Sequence, residues 1–177
     1  MKSSRAFTLI ELLIVIAIIG ILMSLLFPAV NSAIDSARKA QAKNDVTQIA
    51  TAVVAYETEY GRLPGTNAVG APLGSPVLAA LMGSNVSSLN PRQIVFLEVN
   101  TAKRGKSGIT NNLFVDPWGS PYQIAYDDNY DNTILSAGAG TPWLTTTSPL
   151  RKKVAVWNAP PGNNASQQKR RAVTSWD

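Results

Sequence analysis

Between Phe7 and Val30 the chain carries three polar side chains, Thr8, Glu11 and Ser24, in an otherwise apolar run. As a helix rising about 1.5 Å per residue, the run reaches roughly 36 Å. That is enough to cross a hydrocarbon core about 30 Å thick. From Asn31 to Tyr60 the pattern changes. Val46, Ile49, Ala50, Val53, Tyr56 and Tyr60 recur at spacings of three and four, which predicts an amphipathic helix with one buried face. The stretch "DSARKAQAKND" before them is too polar to bury and reads as a solvated stalk. Gly61 and Pro64 end the helix.

Residues 61–90 are rich in Gly, Pro, Ser and Asn. Within them "SPVLAALMG" predicts a short helix with Ser75 as N-cap, Pro76 in the first turn and Gly83 at the exit. Four strand-like stretches follow: "QIVFLEV" (93–99), "PYQIAY" (121–126), "TILSA" (133–137) and "KVAVWNA" (153–159). Each is short, β-branched or aromatic, and bounded by turn residues. The order predicts an α+β protein, a long N-terminal helix packed on a small antiparallel sheet. No internal repeat interrupts it.

Composition narrows the chemistry. With 177 residues, the chain suits one modest domain plus an appendage. It has no cysteine, so it has neither a disulfide framework nor a thiolate site. It has no histidine, which removes the commonest general base and transition-metal ligand. The net charge of +5 is scattered, without the basic, aromatic-interleaved stripe of a nucleic-acid binder. The balance points away from an enzyme and from a nucleic-acid partner.

Glu11 is the anomaly. A charged group inside a membrane helix costs on the order of a few kcal/mol and so usually has a partner. A cleaved secretory signal would have a shorter apolar core than this and a clearer small-x-small site. A plain anchor fits the length but leaves Glu11 without a role. If the leader "MKSSRA" were cut between Ala6 and Phe7, Phe7 would carry a new α-amine, protonated near neutral pH. Glu11 would then be the fifth residue of the mature chain. A neighbouring copy displaced along the helix axis can place its amine at that carboxylate, and the pair would fix the register of stacked helices. Lys2 and Arg5 favour a cytoplasmic N-terminus, although Arg38, Lys39 and Lys43 follow on the other side.

"FTLIELLIVIAIIGIL" after a short basic leader resembles the class III signal of type IV pilins and type II secretion pseudopilins. "FVDPWGSPYQI" (114–124) resembles the Asp-Pro-Trp-Gly-x-Pro-Tyr signature of the major pseudopilin of type II secretion. The resemblance implies cleavage between Ala6 and Phe7 by a prepilin peptidase, N-methylation of Phe7, and assembly through Phe7 and Glu11. Ala6 stands where the family usually has Gly. Gly20 and Pro28 fall where such helices are commonly weakened. Asp116, Pro117, Trp118, Gly119 and Tyr122 form a structural turn, with Asp116 accepting backbone amides and Gly119 permitting a tight reversal.

The implied organisation is a leader (1–6), a membrane and filament-core helix (7–30), an amphipathic helix (31–60) and a periplasmic head (61–177). The implied partners are further copies in a filament, the prepilin peptidase, other pseudopilins, inner-membrane secretion components and the membrane itself. The filament would act as a piston on exported proteins. A type IV pilin is the near alternative. A membrane-anchored binding module or hydrolase is the distant one, with Glu98, Asp116 and Asp127 as candidate acids. An adhesin or DNA-uptake subunit would use Lys103, Arg104 and Lys106, or Lys169 to Arg171.

Calcium is the cofactor to weigh, because the family often holds it in a C-terminal loop. "VAVWNAPPGNN" (154–164) and "RAVTSW" (171–176) match that frame, but its acidic positions fall at Gly162, Arg171 and Ala172. The ligands are lost on this reading. Neutral oxygens from Asn158, Asn163 and Asn164 leave weak binding open. "DDNYDN" (127–132) resembles the start of an EF-hand loop. It has Asn132 at the glycine position and Gly138 at the final Glu, so an Asp/Asn turn fits better.

Overall fold

The computed structural model describes residues 8–65, 70–134, 149–160, 162 and 165–176. The chain forms two compact units, residues 1–37 and 38–177. Helix α1 (Leu9–Tyr60) contributes to both, running unbroken through Gly20 and Pro28.

In the first unit the large side chains of α1 are exposed on every face; Leu9 is 88% and Leu25 71% accessible. A helix that is apolar all round and buries nothing within its own chain belongs in a membrane or an assembly core. Its length and composition suffice to cross a bilayer.

In the second unit, α1 buries Ala42, Val46, Ile49, Ala52, Val53 and Tyr56 along one stripe. Ala50 and Tyr60, read on the same face from periodicity, are half-buried and pack against this core. The stripe meets a three-stranded antiparallel sheet of β1 (Ala71–Pro72), β4 (Tyr122–Tyr126) and β5 (Val154–Asn158), in the order β1-β4-β5. The register pairs Tyr122 with Asn158 and Tyr126 with Val154. Alternation splits the two longer strands between two clusters. Tyr122, Ile124, Tyr126, Val154 and Val156 join the α1 core, while Ala125, Ala155 and Trp157 pack with Ile134. All of β5 is therefore buried, which is why its sequence lacks an in-out pattern.

A second sheet pairs β2 (Gly108–Thr110) with β3 (Leu113–Val115). Neither the two strands nor their turn was read from the sequence. Asn111 and Asn112 lie between paired Thr110 and Leu113 with φ of 49° and 60°, the two positive values of a type I′ hairpin. Gly108 has φ +149°, and a Cβ there would sit 2.4 Å from the Asn100 carbonyl oxygen, so no larger residue fits.

Two expected elements differ, and a third is described only in part. "QIVFLEV" (93–99) forms no strand: Phe96 and Leu97 both donate their N–H to the Leu81 carbonyl, and Phe96 stacks edge-on with Tyr56 at 5.5 Å. Its apolar residues serve α1 rather than a ladder. The short helix α2 spans Val77–Leu81; Pro76 is its N-cap and no side chain caps it, so Ser75 has no capping role. Gly83 does leave this helix with positive φ, 91°, its N–H on the Ala80 carbonyl. Of "TILSA", Ile134 makes one bridge to Leu150, and 135–137 lie outside the described residues. A third helix, α3 (Ala165–Arg171), precedes the C-terminal segment.

Candidate functional site

The turn between β3 and β4 is built on Asp116, which is fully buried. Its Oδ1 accepts the N–H groups of Trp118 and Ser120, each at 2.9 Å. Its backbone closes the same turn, Asp116 N–H to the Ser120 carbonyl at 2.8 Å and Gly119 N–H to the Asp116 carbonyl at 3.0 Å. Pro117 supplies a fixed φ and no competing donor. Gly119 sits at φ +98°, which the tight return requires. Burial pushes the Asp116 carboxyl up, against hydrogen bonds from Asn158 and the turn.

Two further side chains tie this turn to the rest of the head, and neither was singled out for that role from sequence. Tyr122 donates its hydroxyl to Asp45 Oδ2 on α1 at 2.7 Å. Burial raises the Asp45 carboxyl, and burial with the Asp45 charge raises the Tyr122 phenol. Asn158 is the second tie. Its Nδ2 donates to Asp116 Oδ2 at 2.9 Å and to the Arg171 carbonyl at 3.3 Å, and its Oδ1 accepts Val173 N–H at 2.9 Å. A strand ending in a buried Asn is the only signal that could have marked it.

The C-terminal segment is stitched along β5. Ser175 N–H donates to the Val156 carbonyl at 2.8 Å, Val156 N–H to Ser175 Oγ at 3.0 Å, and Lys43 Nζ to the Thr174 carbonyl at 2.8 Å. Trp176 meets Trp157 edge-on at 6.0 Å, and the Arg171 guanidinium lies 5.6 Å over the Trp118 ring.

The described residues here supply no calcium cage, and 135–148, 161, 163 and 164 lie outside them. Among the described residues no three carboxylates converge. The Asn158 oxygen, weighed from sequence as a neutral ligand, is taken by Val173 N–H. Asn163 and Asn164 lie outside the described residues. At the other loop, Asp127 accepts Asp131 N–H and Asn132 N–H, and Asp131 is engaged by Thr133 and Asn129. These carboxylates are used as turn acceptors. Removing metal with a chelator is therefore expected to leave thermal unfolding unchanged. A calcium ion at a hundred times its Kd would contribute about 2.7 kcal/mol, a fall of roughly 5–10 °C on chelation. Calorimetry with EDTA against added calcium decides it.

The candidate acids of the hydrolase reading do not form a pair. Asp116 precedes β4 and Asp127 follows it, so the strand's five residues hold them roughly 17 Å apart. Glu98 is exposed on the loop after α2.

At the front of α1 the structure reveals a role for Thr8 that sequence inspection overlooked. Thr8 N–H and Oγ1 both donate to Glu11 Oε2, at 2.9 and 2.8 Å, while Glu11 N–H donates to Thr8 Oγ1 at 3.3 Å. This is a capping box, and the Thr-x-x-Glu spacing was its signal. Phe7 and Ala6 lie outside the described residues, so the pairing of a Phe7 amine with Glu11 is not displayed.

Comparison with known proteins agrees with these features. A family model described as the prokaryotic N-terminal methylation motif matches residues 1–27. The chain is 33% identical over 122 residues to the type II secretion system core protein G of Pseudomonas aeruginosa, covering 69% of this chain and 73% of that protein. It is 30% identical over 138 residues to the Escherichia coli K12 protein of the same name, covering 76% and 81%. The Aeromonas hydrophila counterpart is 30% identical over 123 residues, covering 70% and 73%. No solved structure matches significantly. With a methylation-motif helix, a head organised on the Asp116 turn, and relatives sharing most of their length, the chain belongs to the type II secretion system core protein G family, the major pseudopilins.

Proposed function

We propose that this pseudopilin is processed between Ala6 and Phe7, methylated at Phe7, and polymerised through α1 into a filament that drives protein export. The family is structural rather than enzymatic. The observation carrying the reading is the first unit of α1, where a methylation-motif helix exposes apolar side chains on all faces yet holds one carboxylate, Glu11, at its front. A bilayer can take up this surface before assembly and neighbouring helices after it. Glu11 then sets register against the Phe7 amine of another copy. Gly20, with low helix propensity, and Pro28, which lacks an N–H, are the positions at which α1 yields during packing. The subunit is anchored by this helix in the inner membrane with its head in the periplasm. Its partners are the prepilin peptidase, other pseudopilins and the inner-membrane secretion components.

The N-terminal peptide mass of protein recovered from membranes tests the reading. The expected result is a chain beginning at N-methylated Phe7. A chain that still begins at Met1 in cells with an active prepilin peptidase would overturn it. Alanine is larger than the usual glycine before the cut, so Ala6→Gly is expected to raise the processed fraction in a short pulse-chase.

A further inference from the structure

Strand β4 carries a cationic turn at one end and an acidic loop at the other, and the assembly reading uses neither. Where β4 begins, the turn 103–106 is seated on the Asp116 turn: Ser107 N–H donates to the Asp116 carbonyl at 3.0 Å. Lys103 N–H donates to the Lys106 carbonyl at 3.1 Å and Lys106 N–H to the Lys103 carbonyl at 3.2 Å, with Arg104 and Gly105 at positive φ between them. Lys103, Arg104 and Lys106 are exposed, and their side chains have no partner among the described residues. Lys103 and Lys106 line an open cavity of about 770 Å3 with Arg38, Gln41, Asn100 and Thr101. Arg38 is already engaged, and none of the lining residues is acidic. Where β4 ends, Asp127 is buried and accepts Asp131 N–H and Asn132 N–H, with Tyr130 and Asn132 at positive φ. The loop so held exposes Asp128, Tyr130 and Asp131, Tyr130 to 52%. Hydrogen bonds from Thr133 and Asn129 hold the Asp131 carboxyl below its ordinary range, so it stays charged. Asp128 has no partner among the described residues; Arg62, which lines a separate cavity with it, donates to the Ser88 carbonyl at 3.2 Å. Arg151, Lys152 and Lys153 enter β5 beside this loop, with Lys153 paired to Glu57, but the loop itself, 127–132, contains no cation.

We infer that the loop 127–132 of one copy docks on the turn 103–106 of a second copy, with Asp128 and Asp131 against the lysines and Tyr130 against Arg104. The inference rests on the polymer reading above and names its contact between heads. The five residues of β4 hold the two ends roughly 17 Å apart, so one chain cannot make this contact with itself. Between chains the chemistry matches. Carboxylates accept from ammonium and guanidinium groups, and a guanidinium is attracted to the face of a tyrosine ring. Tyrosine and arginine are also enriched where proteins meet. Because the two ends differ, the contact is heterologous. Each added copy leaves one turn and one loop open, so the contact propagates as a filament requires. Glu98 is the other exposed head carboxylate without a partner among the described residues. It lies two residues before Asn100, at the cationic end itself. A contact from Glu98 joins like ends and closes as a pair, which cannot extend a polymer.

The chain has no cysteine, so introduced thiols report the contact cleanly. Thr101→Cys at the cavity and Asn129→Cys in the loop are combined in one full-length chain, and cells are treated with a short bismaleimide. The expected result is a ladder of dimers, trimers and higher species from the double variant, with no ladder from either single variant. Lys106→Asp or Asp128→Lys added alone lowers the laddered fraction about fivefold, and the two together restore it, each with an unchanged melting curve. No ladder, or a ladder indifferent to these charges, overturns the inference. So does a dimer from Thr101→Cys alone that Glu98→Lys abolishes, because the turn then pairs like ends. Sedimentable cross-linked polymer from the unsubstituted chain separates the two possible failures. Polymer without a ladder sinks the docking inference alone, and no polymer sinks the assembly reading as well.

Discussion

Asp116→Ala is expected to destabilise the head by about 3–5 kcal/mol, enough to lower its thermal midpoint by on the order of 10 °C. The carboxylate is fully buried and accepts from three donors, Trp118 N–H, Ser120 N–H and Asn158 Nδ2. Truncation leaves all three without an acceptor, and a buried donor left unpaired costs about 1–3 kcal/mol. The damage spreads, because Asn158 also holds Arg171 and Val173. Early loss of protection at residues 171–176 in hydrogen exchange would show that spread. A loss below about 1 kcal/mol would mean that the turn stands without its carboxylate.

Asp116→Asn separates charge from geometry. The amide oxygen can still accept from Trp118 and Ser120, but the amide nitrogen then faces Asn158 Nδ2, donor against donor. Asn158 cannot turn over to help, since its oxygen is occupied by Val173 N–H. A cost of about 1–3 kcal/mol follows. The pH dependence has a definite sign. Burial raises the folded Asp116 pKa above its ordinary 3.8, so between those values the folded state binds more protons than the unfolded chain. The stability this group contributes is fully present below 3.8 and is lost as pH rises through the folded pKa. The Asn variant lacks that slope. The gap between wild type and Asp116→Asn in urea unfolding should therefore be wider in mild acid than at neutrality.

Legibility followed the range of the interactions. The long helix was readable because its signals are local: an unbroken apolar run, then a three-and-four stripe read from Val46 to Tyr60. The structure starts the buried stripe a turn earlier, at Ala42, within the stretch read as too polar to bury. Strands β4 and β5 were readable from their β-branched and aromatic content. The β2–β3 pair was missed because each strand has three residues. No hydrophobic period develops over such a length, and the Asn111–Asn112 pair, its local signal, went unread. "QIVFLEV" misled for the opposite reason. Its composition is strand-like, yet Asn90 anchors the loop by bonding the Ala80 and Ile94 carbonyls, and Phe96 is drawn to Tyr56 and Tyr60. The hub at Asn158 depends on partners 42 residues before it and 15 residues after it, a separation that no local pattern encodes.

Glu11→Gln is expected to abolish polymer formation while sparing both membrane insertion and the folded head. The argument turns on two roles that one carboxylate holds. Within its own chain, Glu11 completes the capping box with Thr8. Between chains, it is proposed to meet the Phe7 amine of a neighbour. Glutamine serves equally well at the third position of a capping box, so the substitution keeps the cap and deletes only the charge. Thr8→Ala does the reverse, costing about 0.5–2 kcal/mol of local helix stability while leaving the carboxylate in place. In a low-dielectric helix bundle, removing one partner of an ion pair strands the other, at about 3–5 kcal/mol. That corresponds to at least a hundredfold in the association constant for each contact, repeated along the filament. Sedimentation of cross-linked polymer from cells separates the cases. Polymer lost in Glu11→Gln and kept in Thr8→Ala assigns Glu11 to the intersubunit contact. Equal loss in both would assign it to the cap, and the register role would fall. Polymer intact in Glu11→Gln would show that the filament packs without the charge, leaving the shape of the apolar helix as the sole source of alignment.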